Sequence, residues 1–518
     1  MKGAIAAGHP LTARAGAEVL AEGGNAVDAC IAAAFASWVT ESPLTGPGGG
    51  GFLLVHRARD RTTRLLDFYV AYPGEGARSP PGEMDSVEVD FSGGSIQMFH
   101  LGGASCAVPG NAVGLQTAHR TYGSLPWRRL LEPAIELAAE GVELNESQAY
   151  LHKILDLILR FRTEGQVIYG PAGDRLATGD RLVQRDLSAT LELIAERGAG
   201  VLSTGALARQ IADHVQKLGG TITQTDLAGY RAIWRRPVCV EFGGYRFLSN
   251  PPPATGGALI AYGLVLLDRL GARNTPGSAE ETAALVEVMR EQVRVRERGF
   301  AWRLYRGGLA RRLLAPEAVD AAVERISQRL EPPALDATGI AGTTHISAVD
   351  ERGNAASLTA SNGAGSGVVV PGTGVHLNNM LGEYDLAVGA ARPGRRLTSL
   401  MAPSLVLEGE RARLVVGSAG SLRLHGAILQ AVVNVLRHNL EVEDAIARPR
   451  VHADGPVVHC EGGADPAELD RLSGMNYELV RWRGRNLFFG GVSAVELQQD
   501  GGLAAAGDPR RGGAGVVV

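Results

Sequence analysis

Apolar and polar residues alternate along this chain with two different periods, and the changes of period mark its elements. From Thr12 to Ala36 apolar positions recur at helical spacing, with a break at Gly23-Gly24 and a restart at Asn25-Ala26-Val27-Asp28-Ala29. Thr12 and Asn25 are the expected N-caps of the two pieces, because a short polar side chain there accepts from the first free backbone N–H groups. Phe52-Leu53-Leu54-Val55-His56 and Leu65-Leu66-Asp67-Phe68 read as short strands paired across Arg57 to Arg64. A helix opens at Pro109 to Gly114. Another, after Trp127, places Leu130, Leu131, Ala134, Ile135 and Ala138 on one stripe, which reads as core. Tyr150 to Gln216 is largely helical, with loop signals at Gly170-Pro171 and Gly198. Thr221 to Leu227 reads as a strand end running into an N-cap. Val238-Cys239-Val240 and Tyr245 to Leu248 read as strands, and Pro251 to Gly257 caps a long apolar helix.

The densest chemistry lies further on. Around Val349 the residues read as two short strands, with Ile346, Ala348 and Ala355 to Leu358 small or apolar, meeting at the polar, glycine-bearing reversal Asp350-Glu351-Arg352-Gly353-Asn354. Ser361-Asn362-Gly363-Ala364-Gly365-Ser366-Gly367 follows, then Pro371-Gly372-Thr373-Gly374 and Leu377-Asn378-Asn379. Hydroxyls and amides crowd here around glycines that allow a close approach of backbone to ligand, the composition of a site instead of a core. Hairpins in place of regular βαβ units argue for an α+β fold of packed antiparallel sheets covered by helices.

Bulk composition narrows the possibilities. At 518 residues and 45% hydrophobic content the chain is long and apolar enough to be globular. A net charge of -4 and a pI near 6.3 give no reason to expect nucleic acid or an anionic membrane as partner. The four cysteines are far apart, with no CxxC pair, so they read as buried free thiols, without a zinc or redox motif. The opening Met1 to Pro10 lacks the apolar run of a signal peptide, and no apolar span of about 18 residues occurs, so a cytoplasmic protein with no membrane helix is expected. Gly46 to Gly51 satisfies GxGxxG but precedes a strand and contains Pro47, which argues against a dinucleotide site. HExxH and GxSxG are both absent.

Read in order, Gly342-Thr343-Thr344-His345-Ile346-Ser347-Ala348-Val349-Asp350, Gly353-Asn354-Ala355, Gly365-Ser366-Gly367-Val368-Val369-Val370-Pro371-Gly372-Thr373-Gly374 and Leu377-Asn378-Asn379 closely resemble the start of the small subunit of γ-glutamyltransferases. Gly23 to Ala29 and Gly48 to Phe52 are similar to signatures of the large subunit. The resemblance implies an N-terminal nucleophile hydrolase: a four-layer αββα sandwich that cuts itself at Gly342-Thr343, within a linker spanning 328 to 342. Segments 1–342 and 343–518 would remain one intertwined domain. The chemistry makes sense of the cut. A threonine hydroxyl is a poor nucleophile at neutral pH, and a new α-amino group titrating near ~8 puts a base on the same residue.

Carried over residue by residue, the resemblance makes Thr343 the nucleophile. The assisting hydroxyl falls at Ser361, with Thr359 a rival placement, and the asparagine after it at Asn362. Gly420 and Ser421, in Gly417 to Arg423, match the backbone oxyanion hole. Thr344 would face away from Thr343 and be structural, and His345, on the nucleophile's face, would be a satisfied structural histidine. The substrate pocket departs from the family. Its carboxylate-gripping arginine reads Tyr69, a polar partner reads Met380, the amine-binding acid falls at Glu383, and a Ser-Ser pair reads Ser399-Leu400. Arg395, Arg396 and Arg423 are other cations that could meet a carboxylate.

The reading is a self-processing N-terminal-threonine hydrolase or acyltransferase. It would act through an acyl-enzyme on an amide-like small molecule other than glutathione, with no cofactor or metal and with its own two fragments as partners. The alternatives are a genuine γ-glutamyltransferase, a carbon–carbon bond hydrolase like homologues in natural-product pathways, and a non-enzymatic scaffold that keeps the fold.

Overall fold

The computed structural model describes residues 2–90, 96–271, 275–296, 300–328, 342–383, 386–387, 391–420 and 423–518. Ser421 and all but the two ends of the expected linker, 328–342, lie outside them. Two antiparallel sheets form the centre. The first has seven strands in the order Ala514–Val517, Gly3–Ala7, Thr344–Asp350, Ala355–Ser361, Gly50–Arg57, Thr62–Phe68 and Ile233–Arg235. The second has six: Leu503–Gly507, Gly491–Leu497, Arg411–Ala419, Ser404–Glu408, Tyr245–Ser249 and Val238–Phe242.

Strand periodicity explains the layering. Alternate residues point to opposite faces, so Phe52 and Leu54 enter the core shared with the second sheet, while Leu53 and Val55 enter the one beneath the first sheet's helices. Ala4 and Ala6 divide from Ile5 and Ala7 in the same way. Helices Pro10–Ala21, Ala26–Thr40 and Asn111–Tyr122 cover the outer face of the first sheet, and Gly256–Leu270 and Leu424–Leu436 that of the second. The result is the four-layer αββα sandwich expected. No helix among the described residues is long and apolar enough to cross a membrane, and no group of three or more His, Cys, Asp or Glu among them is placed to hold a metal ion.

Asn25 caps its helix in a reciprocal capping box with Asp28. Thr12 does not cap. Pro10 occupies the first helical turn, His9 is the N-cap, and the Thr12 hydroxyl turns inward to Glu41. Thr221 and Ile222 form no strand; Thr223 instead caps the short helix Gln224–Gly229. Cys30, Cys106 and Cys460 are buried free thiols, but Cys239 is exposed, because it lies on the edge strand of the second sheet with its side chain outward.

Candidate active site

The hairpin of Thr344–Asp350 and Ala355–Ser361 sets the geometry. Its register pairs Thr344 with Ala360 and His345 with Thr359, and by extension Thr343 lies opposite Ser361. The Thr343 hydroxyl points to Ser361 Oγ at 3.4 Å, a long contact for two hydroxyls. Ser361 in turn donates to the carbonyl oxygen of Gly342 and accepts from the Gly363 N–H at 2.9 Å. Thr359 is occupied elsewhere: its hydroxyl lies 2.8 Å from His345 Nδ1.

His345 sits between the sheets. Its Nε2 is 2.9 Å from Ser347 Oγ, whose proton goes to the Ser493 carbonyl, so Nε2 carries the imidazole proton and Nδ1 accepts from Thr359. Burial lowers its pKa to about 3, which keeps it neutral. A Cβ on Gly417 would fall 2.3 Å from the ring, so the facing strand needs glycine there.

Behind Thr343 lies a buried polar group that the sequence did not flag. Thr344, facing away from the cavity, donates to Glu41 Oε2 at 2.8 Å, and Thr12 donates to Oε1 at 3.2 Å. Burial pushes the Glu41 carboxyl up to about 7, against those two hydroxyls and the Arg511 charge. Arg511 is buried and donates to the Thr343 carbonyl at 3.3 Å. Burial holds its pKa below the usual arginine value, opposed by Glu41 and Asp508. The neighbouring Arg510 is clamped to Glu461 and Asp508, which anchors the turn that delivers Arg511.

In front of Thr343 is a cavity of about 30 Å³ lined by Tyr69, Thr343, Ser361, Met380, Glu383, Leu386, Ser399, Leu400, Met401 and Leu424. Seven of the residues singled out from sequence therefore converge on one space. Tyr69 donates to Met380 Sδ at 3.0 Å and stacks on Phe52. Ser399 Oγ accepts from the Met401 N–H at 3.1 Å. Asn362 is not among the lining residues: it packs against Gly46 and Gly49 and donates to the His376 carbonyl at 3.4 Å. Gly420, at φ +124°, follows directly on the strand Arg411–Ala419, and a Cβ there would meet the Gly490 backbone at 2.8 Å. The helix that follows begins with Leu424, so its N-terminus, where partial positive charge collects, borders the cavity.

None of the three arginines considered for a carboxylate lines this space. Arg396 pairs with Asp67 at 3.2 Å and stacks on Tyr230. Arg395 lies over the Tyr305 ring and Arg423 over Phe488.

The sequence profile of the Gamma-glutamyltranspeptidase family matches residues 12–518. The glutathione hydrolase proenzyme of Pseudomonas aeruginosa is 32% identical over 548 residues, spanning 100% of this chain and 94% of its own. The acylase ACY 1 proenzyme of Pseudomonas sp. (strain SE83) is 31% identical over 529 residues, with 100% and 94% covered. The cephalosporin acylase structure from Bacillus halodurans superposes with a TM-score of 0.83 at 24% identity, covering 99% of this chain and 95% of its own, a likeness of fold.

Proposed function

The chain belongs to the gamma-glutamyltranspeptidase family, a family of N-terminal nucleophile hydrolases and transferases, and on that premise we propose that Thr343 is its nucleophile, released by self-cleavage at Gly342-Thr343. The observation that carries this reading is the contact of Ser361 with both the Thr343 hydroxyl and the Gly342 carbonyl.

The steps follow from that contact. Thr343 Oγ attacks the Gly342 carbonyl carbon, and the Ser361 O–H stabilises the oxygen as it gains negative charge. The C–N bond breaks with proton transfer to nitrogen, which leaves an ester on Thr343. Water hydrolyses that ester, giving a carboxylate on Gly342 and a free amine and hydroxyl on Thr343. In turnover the amine takes the hydroxyl proton as Oγ attacks a substrate amide, then passes it to the leaving amine. Water or a second amine removes the acyl group from Oγ. The Gly420 turn, beside the N-terminus of Leu424–Leu436, is the candidate oxyanion site of this cycle.

Both fragments supply strands to the first sheet, with Thr344–Asp350 lying between Gly3–Ala7 and Ala355–Ser361. Cutting before Thr343 breaks none of those pairings, so the fragments stay joined. The proposed substrate is a small amide other than glutathione, because the cavity offers Tyr69, Met380 and Leu400 where a γ-glutamyl group needs polar partners. A second reading, glutathione hydrolysis, is favoured by the similarity to the Pseudomonas aeruginosa proenzyme. Mass spectrometry of the protein quenched during turnover of amide and glutathione substrates tests both. The proposal expects an acyl adduct on Thr343 from an amide and none from glutathione.

A further inference from the structure

We propose that the cavity selects apolar acyl groups that carry no carboxylate, an inference that rests on Thr343 being the nucleophile. Met380, Leu386, Leu400 and Leu424 present hydrocarbon or thioether to whatever acyl group sits next to Thr343 Oγ. Among the described residues, Glu383 is the one charged side chain lining the space, and it is buried. Its Oε1 lies close to Gly363, 3.2 Å from where a Cβ would stand, and the Gly363 N–H reaches Ser361. The one acidic or basic side chain in the described lining is therefore an acid and not a cation.

An entering carboxylate would lose its water, gain no cation among the described lining residues, and meet another carboxyl group. The nearby arginines do not change this balance, since Arg396 is committed to Asp67 and Arg395 and Arg423 lie over aromatic rings outside the lining. An alkyl acyl group meets none of these costs. Met380 and Met401 are unbranched and can change rotamer as it enters, so a small cavity can widen around it.

The test uses protein whose cut has been verified by intact mass and three p-nitroanilides: pentanoyl, glutaryl and γ-glutamyl. Pentanoyl and glutaryl differ only by a methyl against a carboxylate at the far end. Pentanoyl turnover is expected to exceed both others in kcat/KM by about tenfold or more, the lower end of what an apolar pocket discriminates. Glu383→Gln is expected to narrow the pentanoyl-to-glutaryl ratio at least about fivefold, whatever happens to the absolute rates. Cut protein that prefers glutaryl or γ-glutamyl, that turns over none of the three, or whose ratio is unmoved in Glu383→Gln, overturns the inference and leaves the nucleophile standing. A chain that is never cut overturns the nucleophile and this inference with it.

Discussion

Arg511 donates from Nη1 to the carbonyl oxygen of Thr343 at 3.3 Å, joining two residues 168 positions apart. That bond fixes the peptide following Thr343, and therefore the direction in which its hydroxyl and its future amine point. Arg511→Met is expected to lower kcat by about ten- to a hundredfold with KM changed far less, since a misplaced nucleophile costs rate more than binding. Arg511→Lys should recover part of the loss. Steady-state kinetics across pH, with melting curves to confirm folding, check this. An equal loss in Tm and in every kinetic constant would mark Arg511 as a folding residue only.

The family resemblance picks out Ser361 with Thr359 as a rival, and it is the register of the hairpin in the structure that separates the two. Counting out from the Asp350–Asn354 turn puts Thr343 opposite Ser361 and leaves Thr359 to His345. The fold is legible too, since an unbroken apolar run such as Phe52 to Val55 announces a strand buried on both faces. Glu41 and Arg511 are not legible, because packing alone brings them to Thr343 and no local pattern marks either. Thr12 misleads because its hydroxyl has a tertiary partner in Glu41. Asn362 misleads because the chain turns sharply after Ser361 and carries its amide to the glycine loop at Gly46 to Gly49.

Ser361→Ala removes the hydroxyl that touches both Thr343 and the Gly342 carbonyl. Cutting should slow by about a hundredfold or more, the usual cost of one such donor, while Ser361→Thr should cut at a rate close to the parent. Time courses on denaturing gels from freshly expressed chain measure both.

Glu41 gives stability a distinctive pH dependence. Its folded pKa, raised to about 7, lies above the ordinary value of 4.5, so between these the folded state holds more protons than the unfolded one. Stability from this group is full below about 4.5 and is lost as pH rises through 7, by up to about 1.4 kcal/mol per pH unit. His345 works in the opposite sense. Its pKa of about 3 lies below the ordinary 6.5, so its contribution is present above 6.5 and lost as pH falls. Glu41→Gln should therefore gain stability over the parent as pH rises from about 5 to about 8, in urea melts at each pH. A difference between the two that is independent of pH would contradict this.

Tyr69→Arg introduces a cation where Tyr69 now meets Met380. It is not expected to create strong glutathione turnover, because Met380 and Leu400 still offer no polar partner to the rest of a γ-glutamyl group. An assay of glutamate release from glutathione decides it. An increase of about a thousandfold from this one change would show that the apolar wall matters little.

The most direct test is the N-terminal sequence and intact mass of the purified protein, alongside Thr343→Ala. Self-cleavage requires two fragments, 1–342 and 343–518, the second beginning Thr-Thr-His-Ile-Ser, and a Thr343→Ala chain that stays whole and inactive. A mature protein with no fragment starting at Thr343, or a Thr343→Ala chain that turns over substrate as fast as the parent, would contradict it.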